Sequence, residues 1–553
     1  MKKKTFPILL LIFLLAIGCS KKSPIEKVTK VFEKVKSETI FNLVEVEQKQ
    51  IKGLNILDFG IEFPEEKHAA FFAKSSVISG EKQQVEIGSS SNIPFAVFVN
   101  GKKQFVQPKR RSFEFREIAY DIFNFQDSFN LDFNKGNNEI VIQTLSGERP
   151  KIYLKEISPP GKELKLKFGK WVFSKSLRNN FTKTLDLSDL NWQNKKLVMQ
   201  HSIETPKVRT YPREANNEWT YSNGAAILGL MNIYNYNNDE SLYNYVKQFC
   251  DFTLTNYDLL RKDYFDNNSL RCADYRMFRK AMLDDTGAPT LPLILIYQKT
   301  KDEKYIPLIN EMAEYVSHGQ ARLSDGTLCR PEPVEMTVWA DDMFMSAPML
   351  LRVALINDDK SMADDAVKQI LNIHNYLWDE KAELHKHAWF DDVKEQSQIF
   401  WSRANGWIIW AVTDALQFLP KESESYNKVM KIYNKIIRGI IKYQDTDGIW
   451  HQVLNNPTSF GETSGSAMFT MAIAAGVNNG WLDNSYKDHA LKGWKAISRK
   501  ISNDGIVKDI CRGTGIGYDE EFYMKRKRFP NDPRGLGALF TCAVEVEKLM
   551  KDQ

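Results

Sequence analysis

Cysteine is scarce and scattered: six residues, at 19, 250, 272, 329, 511 and 542, with no CxxC pair among them. No zinc-type spacing exists, and if Cys19 is set aside an odd number remains, which excludes a complete disulfide framework. The remaining five are expected to be buried free thiols. Histidine is equally sparse, with 8 dispersed residues, and the paired acids are adjacent rather than at ligand spacing. No metal and no cofactor are expected. Excess charge of one sign is also missing: 75 Lys and Arg face 70 Asp and Glu, a formal net charge of +5. That balance gives no reason to expect a nucleic-acid partner. The apolar run Phe6–Ile17 is too short to span a bilayer.

That run follows Lys2, Lys3 and Lys4 and leads into Ala16-Ile17-Gly18-Cys19, which resembles a bacterial lipoprotein box. Residues 1–18 are read as a signal peptide and Cys19 as the lipidated mature N-terminus, with 19–39 as a tether. Losing three lysines takes the net charge from +5 to about +2. The expected location is extracytoplasmic, with the membrane as a partner through the lipid at Cys19. Which leaflet holds it, and the oligomeric state, stay open.

What the chain has in abundance is aromatic side chains: 12 Trp, 21 Tyr and 33 Phe. Its length of 553 residues suggests two domains. From 40 to 195 the texture is β. Gln83–Gly88 and Pro94–Val99 alternate, Asn100-Gly101 is a hairpin turn, and Asn134-Lys135-Gly136-Asn137-Asn138 precedes another strand at Glu139–Gln143. A β-sandwich follows, and it looks like the jelly-roll accessory domains attached to bacterial polysaccharide enzymes. It carries no catalytic constellation, so bracing its neighbour is favoured over binding glycan.

From 205 to 553 amphipathic helices alternate with short turns. The spacing predicts helices over 217–236 and 241–259, 286–298 and 303–321, 338–357 and 361–377, 405–418 and 422–443, 464–477 and 485–501, and finally 534–550. Asp325-Gly326, Asp447-Gly448 and Asp504-Gly505 each open a turn and short strand between pairs. The first two lie 122 residues apart, two steps of about 61, and the third follows after 57. About six helical hairpins at a fixed period imply a closed (α/α)6 toroid.

In such a ring the inner helices point one way, so their starts surround one funnel. Those starts read Trp219-Thr220-Tyr221, Asp284-Asp285-Thr286-Gly287, Trp339-Ala340-Asp341-Asp342, Trp401-Ser402-Arg403-Ala404-Asn405-Gly406-Trp407, and His451-Gln452 with Glu462-Thr463-Ser464-Gly465. Caps alone would not need a Trp or Arg at nearly every position. The helix carrying Asp341 is expected to begin at Val338, with Thr337 as its cap and Asp342 as a first-turn capping acid.

With these motifs in order, and with Gly513-Thr514-Gly515 and Asn531-Asp532-Pro533-Arg534-Gly535 after them, the chain from about Glu218 resembles glycoside hydrolase family 105, the unsaturated rhamnogalacturonyl or glucuronyl hydrolases related to family 88. The resemblance implies removal of a 4,5-unsaturated uronic acid from the non-reducing end of lyase-generated oligosaccharides. The chemistry it implies is hydration of a vinyl ether: a proton goes to C4, positive charge develops at C5, water adds there, and the hemiketal opens.

The resemblance implies Asp341 as the general acid and base, and Asp285 as a second acid that orients water or steadies charge, with Asp284 as the alternative. It implies Arg403 as a substrate-binding cation. Trp401 and Trp407 would be sugar-stacking walls, Tyr221 and Trp219 would complete the subsite, and His451 would be a polar contact, each having a structural role as its rival. Where family members often carry a histidine, this chain has Arg330, which would favour an anionic neighbour such as a sulfate if it faces the pocket. An ulvan- or rhamnogalacturonan-type substrate is expected. Two other readings are an inverting glycosidase acting on saturated glycosides with the same acids, and a non-catalytic surface glycan-binding lipoprotein.

Overall fold

The computed structural model describes residues 23–47, 53–63, 69–107, 125–145, 150–158, 163–177, 201–202, 207–212, 216–267, 269–331, 334 and 336–551. The leader 1–18 and Cys19 lie outside the described residues.

The first described element departs from the expected tether. Pro24–Glu38 is a helix, α1. Ser23 and Glu26 form a capping box, each side chain accepting the other's backbone N–H, and Pro24 fits the first turn, where no intrahelical donor is needed. Ile25, Val28, Val31, Phe32 and Val35 recur at helical spacing and are buried. A tether would have no such stripe.

The helical region contributes five hairpins and a last helix: α2 (Tyr221–Asn237) and α3 (Glu240–Phe265), α4 (Leu283–Thr300) and α5 (Ile306–Glu314), α6 (Asp342–Asn357) and α7 (Lys360–Leu377), α8 (Ser402–Ala415) and α9 (Glu424–Ile441), α10 (Thr463–Asn478) and α11 (Lys487–Ser498), then α12 (Pro533–Lys551). Helices α2, α4, α6, α8, α10 and α12 pack each against the next, and α12 closes on α2. These are apolar nearly all round; every residue of α8 is buried. The outer helices α3, α5, α7, α9 and α11 each cover an inner partner, and α1 covers α12. The N-terminal helix thus supplies the twelfth member of the (α/α)6 toroid.

Small residues let the inner helices approach. A Cβ on Gly287 would lie 1.6 Å from the Met345 carbonyl oxygen, and one on Gly537 2.2 Å from that of Ala225. Any side chain there would force the ring open. The repeated turns appear as read: Gly326, Gly448 and Gly505 all have positive φ, and Arg322–Leu328 and Ile501–Val507 bridge across two of them.

Between α1 and α2 the chain leaves the ring and returns. Val44–Glu47 pairs antiparallel with Lys207–Thr210, so exit and re-entry form one two-stranded neck. Beyond the neck are two antiparallel sheets, one built around Ala69–Ser79, Gly136–Leu145 and Phe95–Val99, the other around Gln83–Ser91, Lys151–Glu156, Asp127–Phe133 and Leu54–Asp58. Phe71, Val97 and Ile142 from the first sheet meet Val85, Leu131 and Ile152 from the second in a shared core. Lys151 Nζ donates to the Phe265 carbonyl at the end of α3, 3.0 Å away, tying the sandwich to the ring. Cys250, Cys272, Cys329, Cys511 and Cys542 are all buried and free.

Candidate active site

The stretch before α6 differs from its sequence reading. Thr337–Trp339 is a strand paired with Ala388–Phe390, so the helix begins only at Asp342. Asp341 takes the N-cap position without accepting a capping hydrogen bond, and its side chain is 14% exposed. Asp342 is fully buried and caps nothing. Both its oxygens accept from Arg330 Nε, at 3.1 and 3.0 Å, and Oδ1 also accepts from an Arg330 terminal nitrogen at 2.6 Å.

Arg330 therefore does not present a free cation to an anionic neighbour. Its guanidinium also donates to Asp284 at 2.9 Å and lies 4.1 Å from the Trp339 ring centre. One arginine organises the starts of two inner helices, α4 and α6. Burial raises the Asp342 carboxyl to about 6 against the pull of Arg330, with Asp284 and Asp341 adding repulsion. Burial raises Asp284 too, again partly offset by Arg330. Asp341 goes the other way. Burial would raise it, but contact with His387, and then Arg330 and Arg403, outweigh that and hold it below the ordinary carboxylate value.

His387 was not singled out from the sequence. It is fully buried, with Nε2 3.2 Å from Asp341 Oδ2 and Nδ1 2.7 Å from the Tyr523 hydroxyl. The two atoms are in contact but out of line for a full hydrogen bond. His387 comes from the hairpin that pairs with Thr337–Trp339, and Tyr523 from a short helix, Glu520–Met524.

Of the expected second acids, Asp284 is the one that joins this cluster. Asp285 is fully buried and turned away, accepting from Arg279 at 2.7 and 2.9 Å and from Arg276 at 3.3 Å. Its carbonyl accepts from the Trp219 indole at 2.7 Å, and Trp219 is itself fully buried. Trp219 and Asp285 brace each other beneath the site. Tyr221 faces the cluster: burial lifts its hydroxyl to about 12, and Arg534, Asp284, Arg403 and Asp341 all act on it.

Arg403 is 1% exposed and donates to the carbonyls of Cys511 and Arg512 at 2.5 and 2.7 Å. It pins the 511–512 loop and acts on Asp341 through charge. Trp401 is buried, with Arg403 over its ring at 4.6 Å and its indole donating to Gln452. Trp407 is fully buried between Phe344 and Trp410. Neither is exposed as a stacking wall. His451 clasps its own hairpin, at 2.5 Å from the Ser459 carbonyl and 3.1 Å from Asp445. Among the described residues no group of three or more His, Cys, Asp or Glu is arranged to hold a metal.

The cluster thus combines one partly open carboxylate held ionised, a second whose proton is bound more tightly, a histidine in contact with the first, and an arginine gluing the helix starts. Such a set can deliver a proton and take one from water.

Residues 194–550 match the family described as Glycosyl Hydrolase Family 88. The chain is 28% identical over 260 residues to the unsaturated rhamnogalacturonyl hydrolase YesR of Bacillus subtilis, covering 46% of this chain and 74% of that protein. It is 32% identical over 181 residues to an unsaturated 3S-rhamnoglycuronyl hydrolase of Formosa agariphila, covering 31% of this chain and 48% of that one, about half its length. In fold it is similar to a possible GH105 member from Klebsiella pneumoniae (TM-score 0.54, 21% identity, 63% of this chain and 86% of that one). It is likewise similar to a family 105 glycoside hydrolase of C. acetobutylicum (0.53, 23%, 60% and 94%).

Proposed function

Because the chain belongs to glycosyl hydrolase family 88, we propose that it removes a 4,5-unsaturated uronic acid from the non-reducing end of ulvan- or rhamnogalacturonan-type oligosaccharides left by a lyase. Asp341 protonates C4 of the vinyl ether, positive charge develops at C5, and the resulting carboxylate takes a proton from the water that adds there. The hemiketal then opens and the rest of the saccharide leaves. The observation that carries this reading is the contact of the partly open Asp341 with His387 at the start of α6.

The free site keeps Asp341 ionised, so it takes up its proton from solvent as the substrate binds. The uronate carboxylate adds a like charge and expels water, and both raise the neighbouring acid. Arg330, already engaged, holds Asp284 and Asp342 while this happens. Incubation with lyase-generated disaccharides, following loss of the double bond's ultraviolet absorbance, tests the proposal; an unchanged spectrum refutes it.

A second reading has one specific support. Asp284 is the cluster's other partly exposed acid, and its affinity for a proton is raised. In that reading Asp284 protonates C4 and Asp341 activates the water. Comparing Asp341→Asn with Asp284→Asn at low pH separates them, because the acid's variant stays silent there. Lipidation at Cys19, with an extracytoplasmic location, is a further proposal, tested by fatty-acid labelling of the wild type against Cys19→Ala.

A further inference from the structure

Outside the acid cluster lies a cleft of about 550 Å³ between the 451–461 hairpin and the Met524–Phe529 segment. None of its nine lining residues is acidic and four in succession are cations: Lys525, Arg526, Lys527 and Arg528. Glu521 pairs with Lys525 and Asp509 with Arg528, and Arg526 donates to the Gly513 carbonyl. Two aromatic faces accompany them. Phe460 carries the Arg528 guanidinium at 4.9 Å, and Phe529 is 41% exposed. Cations beside the exposed Phe529 ring suit a ligand with an apolar flat face and negative substituents. A sugar ring bearing a sulfate ester or a carboxylate is such a ligand, since its C–H face stacks on a ring while its anion meets the charges. The volume falls within the ~300–1,000 Å³ usual for small-ligand clefts.

Its place in the fold links the cleft to the reaction. Ile510–Cys511 pairs with Arg528–Phe529 to make one excursion from the ring's mouth. Tyr523 of that excursion reaches inward to His387 at 2.7 Å, while the next residues, from Met524 onward, line the cleft. The other wall, at Phe460, runs directly into Glu462, which caps α10. Tyr523 thus joins the segment that walls the cleft to the histidine in contact with Asp341.

We propose that the Lys525–Arg528 cleft is a subsite for an anionic sugar in the leaving part of the substrate, so that the enzyme prefers acidic oligosaccharides over neutral-aglycone disaccharides. This rests on the proposed function above. The test uses the full chain and the double variant Lys525→Glu/Lys527→Glu, with kcat and KM measured on unsaturated oligosaccharides whose leaving part is neutral, carboxylated or sulfated. For at least one anionic class KM should rise about tenfold or more with kcat retained; the neutral disaccharide should be unaffected, and added salt should shrink the difference. Whichever anionic class responds identifies the anion. Equal kinetics for variant and wild type on every substrate, or equal loss on the neutral one, overturns the proposal. Should the wild type turn over nothing, titration calorimetry with saturated carboxylated and sulfated oligosaccharides decides alone: binding abolished in the variant supports the subsite, and no wild-type binding, or equal binding by both proteins, overturns it.

Discussion

His387 Nε2 stands 3.2 Å from Asp341 Oδ2, and the same imidazole is held from behind by the Tyr523 hydroxyl at 2.7 Å. The pair joins a hairpin residue to the start of α6, and it sets the charge of the carboxylate on which the proposed chemistry depends. Replacing His387 by Gln removes a contact that lowers Asp341, so that acid's affinity for protons rises. A reaction needing protonated Asp341 loses kcat/KM as pH climbs above the free-site value. In His387→Gln that decline moves to higher pH. A pH profile of kcat/KM reads this directly, and an unmoved profile would detach His387 from the proton.

Asp341→Asn and Asp285→Asn should fail in different ways. The first keeps the fold and loses on the order of 10³-fold in kcat, the usual scale for a missing general acid. The second breaks the fully buried Asp285–Arg279 ion pair, which costs about 3–5 kcal/mol. Thermal unfolding should therefore separate them: Tm near wild type for Asp341→Asn, and a clear fall for Asp285→Asn.

Asp342 gives the fold a pH signature. Its carboxyl is raised in the folded protein to about 6 from an ordinary 3.8. The folded state binds its proton more tightly than the unfolded chain, so this group's stabilisation is fully present below about 4 and is lost as pH rises through about 6. In Asp342→Asn that loss between pH 4 and 6 disappears. Denaturant titrations across the window check it, and an equally steep decline in the variant would contradict it.

Cutting away residues 1–39 should not be neutral, as it would be for a tether. Val28, Val31 and Phe32 are buried against the ring, each contributing about 1.5–3 kcal/mol. Truncation should lower Tm on the order of 10 °C, as differential scanning calorimetry would show.

These outcomes mark where the sequence was legible. Helix periods and Gly326, Gly448 and Gly505 are local signals, and the toroid follows from them because identical hairpins have few ways to close. The Ser23–Glu26 capping box was equally local, but a reading that stops at the leader passes over it. Other features depend on contacts between distant residues. Thr337–Trp339 becomes a strand because Ala388–Phe390 lies beside it, and no local pattern carries that pairing. Arg330, Arg403 and Asp285 have suitable chemistry for a pocket, yet each is committed to a buried partner. His387 left one faint trace: it directly follows Ala382–Lys386, the stretch that fills a missing repeat step, two residues after His385.

The central claim is that Asp341 sends a proton to C4 of an unsaturated uronate. Turnover of a lyase-generated disaccharide in D2O, followed by NMR, tests it most directly. The account predicts one stereospecific deuterium at C4, appearing in step with release of the second sugar and absent with Asp341→Asn. Release of that sugar with the C4–C5 double bond still intact would contradict it.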